Sequence, residues 1–298
     1  MLLEEKTNII NCKKIANNML EGYNNKIQNY KTLGTPGLAF ITFGKKETTI
    51  YFNKTQSFCK KLEINVLNYN YDNNISQEEI CKIIEELNNN NNINGIILQS
   101  PLPIHLDKNL IYNTIHNNKD IEGLNNYNSG CLINNLNKNT FFIPCTPLAC
   151  MEILKNEKID LKGKNVTIIG KSNIVGLPLS ILLLQNNATL TVCHIDTIDL
   201  ISHSKQADIL ITGCGQAKMI KKHWLKENAV VIDIGINIIY DESYKNGYYI
   251  VGDVDFDNVK EIVHKITPVP NGVGLITIMM LISNLLKSFE IQNNIINK

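Results

Sequence analysis

Residues Asn165 to Ser180, NVTIIGKSNIVGLPLS, constrain the fold more tightly than any other stretch of the chain. Val166 to Ile169 is a short apolar, β-branched run of the kind that forms a fully buried parallel strand. It ends in Gly170, passes through polar Lys171, Ser172 and Asn173, and enters an apolar segment of helix length, Ile174 to Leu184. A strand that stops at a glycine and turns into a helix aims free backbone N–H groups and the positive end of the helix dipole at one spot. Such a spot attracts phosphate. The spacing from Gly170 to Gly176 lacks the two closely placed glycines of the dinucleotide fingerprint. Taken alone, the turn fits a plain βα connection as well as it fits a nucleotide site.

The segments downstream extend the pattern. Thr189 to His194, Asp208 to Ile211 and Val230 to Ile234 read as three further strands, separated by helical or polar segments. Strands alternating with helices imply a parallel sheet with right-handed crossovers. Glycines stand just beyond three strand ends: Gly170, then Gly213 and Gly215, then Gly235. Ligands of open α/β sheets bind beyond the carboxyl ends of the strands. This half therefore reads as a Rossmann-type dinucleotide domain.

A length of 298 residues suits two domains of ordinary size, and 44% hydrophobic residues are enough for two cores. The formal charge of +1 gives no argument for a nucleic-acid partner. Eight cysteines occur without a C-x-x-C pair, which points to buried thiols rather than a zinc site or a disulfide framework. The N-terminus, MLLEEKTNIINCKK, places acid where a signal peptide needs base. No run is expected to reach the roughly 18 apolar residues of a membrane span. There is no arginine, and Asn, Ile and Lys abound, a bias that touches surface and core alike. An Arg-to-Lys difference in this chain thus carries less functional weight than usual.

In the first half, residues 7 to 30 carry apolar positions at helical spacing, and Gly37 to Phe43 is a strand. Thr48 to Leu62 reads as a helix, Ile64 to Leu67 as a short strand, and Ser76 to Leu87 as a helix opened by a capping box of Ser76 and Glu79. Asn88 to Asn92 is a loop, and Gly95 to Gln99 a strand that Pro101 and Pro103 prevent from continuing. Thr146-Pro147 supplies an N-cap hydroxyl and a proline at the first helical position, so the main domain boundary is placed just before it. An apolar helix from Leu275 to Leu286 could return to the first domain. The expected domains are 1–145 with 275–298, and 146–274.

Seven segments now occur together in one order: GIILQSPLP, KDIEG, CTP, GKSNIVGLP, VVIDIGIN, GDVDF and PVPNGVG. With them the chain resembles the bifunctional methylenetetrahydrofolate dehydrogenase/cyclohydrolase (FolD) family, from Gly37 to Leu286. The resemblance implies an α/β enzyme of two domains with two chemistries in one cleft between them. 5,10-Methylenetetrahydrofolate is oxidised by a nicotinamide to the methenyl cation, and water then converts that cation to 10-formyltetrahydrofolate. Neither step needs a metal; both need a proton relay and a shaped folate pocket. The resemblance further implies a homodimer in the cytoplasm, although an organelle stays open, with a tetrahydrofolate substrate and neither a nucleic-acid nor a membrane partner. Dehydrogenase with impaired cyclohydrolase, and a folate- or nucleotide-binding homologue without catalysis, remain as alternatives.

Residue by residue, Lys54 resembles the family's catalytic lysine, Tyr51 its neighbour on the helix, Gln99 its orienting glutamine and Glu122 the acid that anchors the pterin. By spacing alone Lys54 reads as a solvated surface lysine. A semi-apolar cleft would lower its pKa towards neutrality, and its amine is expected within hydrogen-bond reach of Gln99, directly or through one water. Tyr51, Gln99 and Glu122 would also touch substrate, with Pro270, Gly272 and Gly274 walling the folate side. Gly170, Lys171, Ser172, Val175, Gly176, Asp196, Gly213, Gly235 and Ile236 would line the coenzyme site.

Departures from the family pattern are specific. The pattern places its tyrosine four residues before the lysine, whereas Tyr51 precedes Lys54 by three. If the register is kept from Tyr51 and Cys59, the lysine position falls on Thr55. Relative to Tyr51, the offsets are about −60° for Lys54 and about +40° for Thr55. Glu122 stands for an aspartate, Asn271 for a glycine and Leu275 for a proline. The family implies NADP, and Lys171 agrees; Asp196, 20 positions past Gly176, suits the ribose hydroxyls of NAD and leaves that coenzyme open.

Overall fold

The computed structural model describes residues 8–30, 32–44, 50–245 and 247–296. Its elements in the first half are α1 (Cys12–Gln28), β1 (Gly37–Phe43), α2 (Ile50–Lys61), β2 (Asn65–Tyr71), α3 (Gln77–Asn89), β3 (Gly95–Leu98), α4 (Lys108–Thr114) and α5 (Asn126–Ile133). Next in the chain come α6 (Cys145–Asn156), β4 (Asn165–Ile169), α7 (Gly176–Gln185), β5 (Thr189–Cys193), α8 (Leu200–Lys205), β6 (Ile209–Thr212) and β7 (Val230–Asp233). The remainder is β8 (Asn237–Tyr240), β9 (Tyr248–Val251), α9 (Phe256–Val259), β10 (Lys265–Ile266) and α10 (Val273–Gln292).

One unit comprises Asn18–Cys145 with Ile278–Lys298. Its parallel sheet has the order β2-β1-β3. Alternate residues of the central strand, Ala39 and Ile41, meet Ile80 and Ile84 of α3, Ile96 and Leu98 of β3, and Ile111 of α4 in an apolar core. The expected capping box of Ser76 and Glu79 opens α3. Strand β2 runs four residues beyond the expected Leu67, because β1 supplies backbone partners as far as Phe43↔Tyr71. Later turns of α10 belong to this unit: Glu290 accepts from the Tyr30 hydroxyl at 2.7 Å and pairs with Lys26 at 2.8 Å.

The other unit comprises Thr146–Thr277 with the stretch up to Asn17. Five parallel strands lie in the order β10-β7-β6-β4-β5, so the Rossmann-type reading of alternating strands and helices describes its sheet. Leu210, Val231 and Ile266 pack with Ile220, Val254 and Val259 on one face. The division differs from the expected one at both ends. The Ile10 N–H donates to Ile266 O, and the Ile266 N–H to Asn8 O, each at 2.8 Å, so the N-terminal stretch lies beside edge strand β10. The boundary within α10 falls after Thr277 instead of before Leu275.

Three further differences concern elements. Helix α6 begins at Cys145, so Thr146 lies inside it and does not cap it. The antiparallel β8–β9 ribbon interrupts the βα alternation. By length and composition α10 could cross a membrane, with a mean hydropathy of 1.5 over its most apolar 18 residues. Burial of 72% of that window inside the protein fits a core helix.

Candidate functional site

Helix α2 decides which polar group enters the first unit. Phe52, Thr55 and Cys59 form its buried stripe, continued by Leu62 just past its end, at spacings of three and four residues. Phe52 anchors it edge-on against Phe40, with ring centroids 5.0 Å apart. Tyr51 is half-buried on the flank of this stripe, and Thr55 is 0% exposed with no hydrogen-bond partner for Oγ1 among the described residues. Lys54 lies a further 100° round the helix and is exposed. No direct Lys54–Gln99 hydrogen bond is present among the described residues. The reason is rotational: packing of Phe52 and Cys59 selects the register that turns Thr55 inward. Residues 48 and 49, the expected start of this helix, lie outside the described residues.

Glu122 is placed by a dense local frame. The preceding Lys119 caps α3, donating to Leu87 O at 3.0 Å and Asn90 O at 2.8 Å. Asp120 closes the following turn by accepting from Leu124 N, Asn125 N and the Asn128 amide. Gly123 sits at φ +66°, and a Cβ there would lie 2.7 Å from Phe142 O. On the other side Asn284 of α10 donates to Ile121 O at 2.7 Å and Ile143 O at 3.0 Å. Lys119, Asp120 and Gly123 of the KDIEG segment are thus structural, and Glu122 is the polar residue left over.

Its carboxyl is pushed up to about 8, first by burial and then by the charge of Asp120, with the Leu98 backbone amide acting the other way. Tyr51 is raised well above the usual phenol range by burial first, then by Cys145, Glu122 and Cys59. Among the described residues, no cation figures in the charges acting on Glu122, Tyr51 or Cys145. Gln99 follows β3 directly, its backbone N–H held by Ile41 O at 2.9 Å, and its side chain is half-buried.

In the second unit the turn after β4 is a close-packed cradle. Gly170 adopts φ +128°, and a Cβ on it would lie 2.7 Å from Gly213 O; one on Gly176 would lie 2.0 Å from Gly170 O. Only glycine fits either place. Ser172 Oγ accepts from Val175 N at 3.2 Å and Gly176 N at 3.5 Å, while Val175 at the start of α7 contributes no side-chain cap of its own. Lys171 is exposed at the rim. Gly213, Gly235 and the 63% exposed Ile236 follow β6 and β7. Asp196 stands three residues past β5, 3.5 Å from the His194 imidazole and largely exposed. The loop before α10 carries Pro270 and Gly272, and Gly274 lies in the first turn of α10; Asn271 in the loop has φ +71°, as its tolerance of left-handed backbone allows.

Two residues were given no role by the sequence. Asp253 is fully buried and accepts from Cys214 N at 2.7 Å, Gln216 N at 3.0 Å and the Asn237 amide at 2.9 Å. Asp233 accepts from Gly235 N at 2.9 Å, Val254 N at 2.9 Å and Asp253 N at 3.1 Å. Their signal was present as charged residues inside the apolar segments VVIDIGIN and GDVDF.

A glycine cradle at a helix start and glycine loops at the carboxyl ends of a parallel sheet define a dinucleotide-binding α/β enzyme. The model of the tetrahydrofolate dehydrogenase/cyclohydrolase catalytic domain matches residues 10–122, and that of the NAD(P)-binding domain of the same family matches residues 144–293. The chain belongs to this family. It is 43% identical over 283 residues to the bifunctional protein FolD of Sulfurovum sp. (strain NBC37-1), covering 94% of this chain and 98% of that protein. The crystal structure of the bifunctional FolD enzyme from Campylobacter jejuni superposes with a TM-score of 0.89 at 38% identity, covering 97% of this chain and 99% of that one. FolD of Trypanosoma brucei, complexed with NADP and an inhibitor, gives a TM-score of 0.90 at 31% identity, covering 95% and 97%. The chain spans only 29% of the mitochondrial C-1-tetrahydrofolate synthase of Saccharomyces cerevisiae, to which it is 40% identical over 282 residues, or 93% of this chain.

Proposed function

We propose that the chain oxidises 5,10-methylenetetrahydrofolate to the methenyl compound with NAD(P)+ and hydrolyses the product to 10-formyltetrahydrofolate. The observation that carries this reading is family membership through both units, and the glycine cradle after β4 and the half-buried Glu122 support it. NAD(P)+, when bound, accepts the hydride lost by the methylene carbon. Gly170, Lys171, Ser172, Val175 and Gly176 would hold its pyrophosphate, and Gly213, Gly235 and Ile236 its nicotinamide end. Glu122 would anchor the pterin, with Tyr51 and Gln99 beside the reacting carbon and Pro270, Gly272 and Gly274 along the folate. Purified chain incubated with methylenetetrahydrofolate and either coenzyme should produce reduced coenzyme, followed by its near-ultraviolet absorbance; no change with either would remove the dehydrogenase.

Position 55 favours a second reading in which oxidation outpaces hydrolysis. Hydride loss moves no proton, so orientation is its main need. Hydrolysis must take a proton from water and give one to a folate nitrogen, which a nearby relay accelerates by roughly 100-fold or more. The buried face of α2 offers a threonine hydroxyl there, while the Lys54 amine is exposed. Methenyl product accumulating before the formyl compound would support this reading, and equal rates would dismiss it. For coenzyme we propose NADP, on the strength of Lys171 and the NADP bound by the T. brucei relative, with Asp196 keeping NAD usable. A homodimer is part of the same proposal, and sedimentation velocity reads it directly.

A further inference from the structure

At the β6 and β7 carboxyl ends, two buried acids interlock with two glycines. A Cβ on Gly252 would lie 1.9 Å from Asp233 Oδ2, and one on Gly235 would lie 2.3 Å from Asp253 Oδ1. Each carboxyl therefore occupies the space that a side chain beside the other acid would need. Asp253 alone accepts from six donors: the backbone of Cys214, Gly215 and Gln216, the side chains of Thr212 and Cys214, and the Asn237 amide. With its lone pairs so engaged it is an acceptor-only carboxylate. Among the described residues no lysine or histidine pairs with Asp253 or Asp233. Neutral dipoles satisfy the charge without cancelling it.

We propose that Asp253 is a positioning residue that fixes the 213–216 and 235–237 loops for the nicotinamide and, through its buried charge, favours the oxidised coenzyme. The inference rests on the nicotinamide reading above. The oxidised ring carries a positive charge that the reduced ring lacks, so a fixed anion beneath these loops binds the two forms unequally. By Coulomb's law at an effective dielectric of about 20, a fixed unit charge near the ring alters such a preference by about tenfold.

Calorimetric titration of the full chain with NADP+, NADPH, NAD+ and NADH tests this. Asp253→Asn should weaken the oxidised form about tenfold more than the reduced form. Asn237→Ala, which removes a donor and keeps the charge, should move the ratio the opposite way. Asp257→Asn, an equal charge change at an exposed site, should leave it unchanged. Equal weakening of both forms by Asp253→Asn would reduce the residue to a structural one and overturn the inference. Should circular dichroism show that Asp253→Asn does not fold, Asn237→Ala decides: a shift towards the oxidised form supports the inference, and no shift overturns it. Wild-type chain that binds none of the four coenzymes sinks the proposed function together with this inference. Wild-type binding with an unmoved ratio sinks the inference alone.

Discussion

Replacing Thr55 by valine keeps the shape of the side chain and deletes one oxygen. In the folded chain that oxygen is fully buried with no partner among the described residues. A buried hydroxyl without a partner costs about 1–3 kcal/mol in desolvation, whereas unfolding returns it to water. Valine escapes that cost, so Thr55→Val should be more stable by about 1–2 kcal/mol. For a chain of this size that is a rise in Tm of about 2–4 °C, and a higher urea midpoint at unchanged slope. A protein that retains an unfavourable buried oxygen is expected to use it, through the common opposition of stability and activity. Hydrolysis of methenyltetrahydrofolate, followed by loss of its absorbance, should accordingly fall about tenfold, the worth of one good hydrogen bond. A lower urea midpoint would prove that the hydroxyl has a native partner. Unaltered hydrolysis in a stabilised variant would refute the functional half of the reasoning.

Lys54→Met should alter stability by less than about 0.5 kcal/mol, as for other exposed sites, and turnover by less than about threefold; a loss near 100-fold would show that this amine reaches the reacting atoms. Burial raises the Asp233 carboxyl from 3.8 to about 7. Between those values the native chain keeps a proton that the unfolded chain has released, so stability should fall as pH rises, by at most about 1.4 kcal/mol per unit. Asp233→Asn, neutral throughout, should flatten that slope in urea titrations spanning roughly pH 4.5 to 6.5, and an equally steep slope would assign the effect elsewhere. Asp196→Ser should raise the preference for NADP over NAD about tenfold in kcat/KM; an unmoved ratio would clear Asp196 of any part in coenzyme choice.

The second unit was legible because β4, β6 and β7 are continuous apolar runs, buried on both faces and punctuated by glycine. The ribbon of β8 and β9 was not, since its residues are half-exposed and its pairing depends on a turn that breaks the alternation. Helix α5, NYNSGCLI, has little intrinsic tendency to form. It is held instead by the Asn125 cap and by Asn128, whose side chain bridges Asp120 and the Phe142 N–H. At the site, sequence spacing reduced the α2 question to two rotations, and tertiary packing of Phe52 and Cys59 chose between them. The roles of Asp233 and Asp253 could not be read from spacing, because their donors come from segments up to 41 residues away.

The interlock of Asp233 with Gly252 and of Asp253 with Gly235 has a bearing on how such chains can be recombined. Its members lie on either side of the β8–β9 ribbon, so a crossover between positions 235 and 252 joins halves from two parents. A hybrid would tolerate that junction only if both parents bring the same small and acidic residues to these four places. Shuffled libraries should therefore be cut before position 233 or after position 253, and the ribbon exchanged as a block with its flanks.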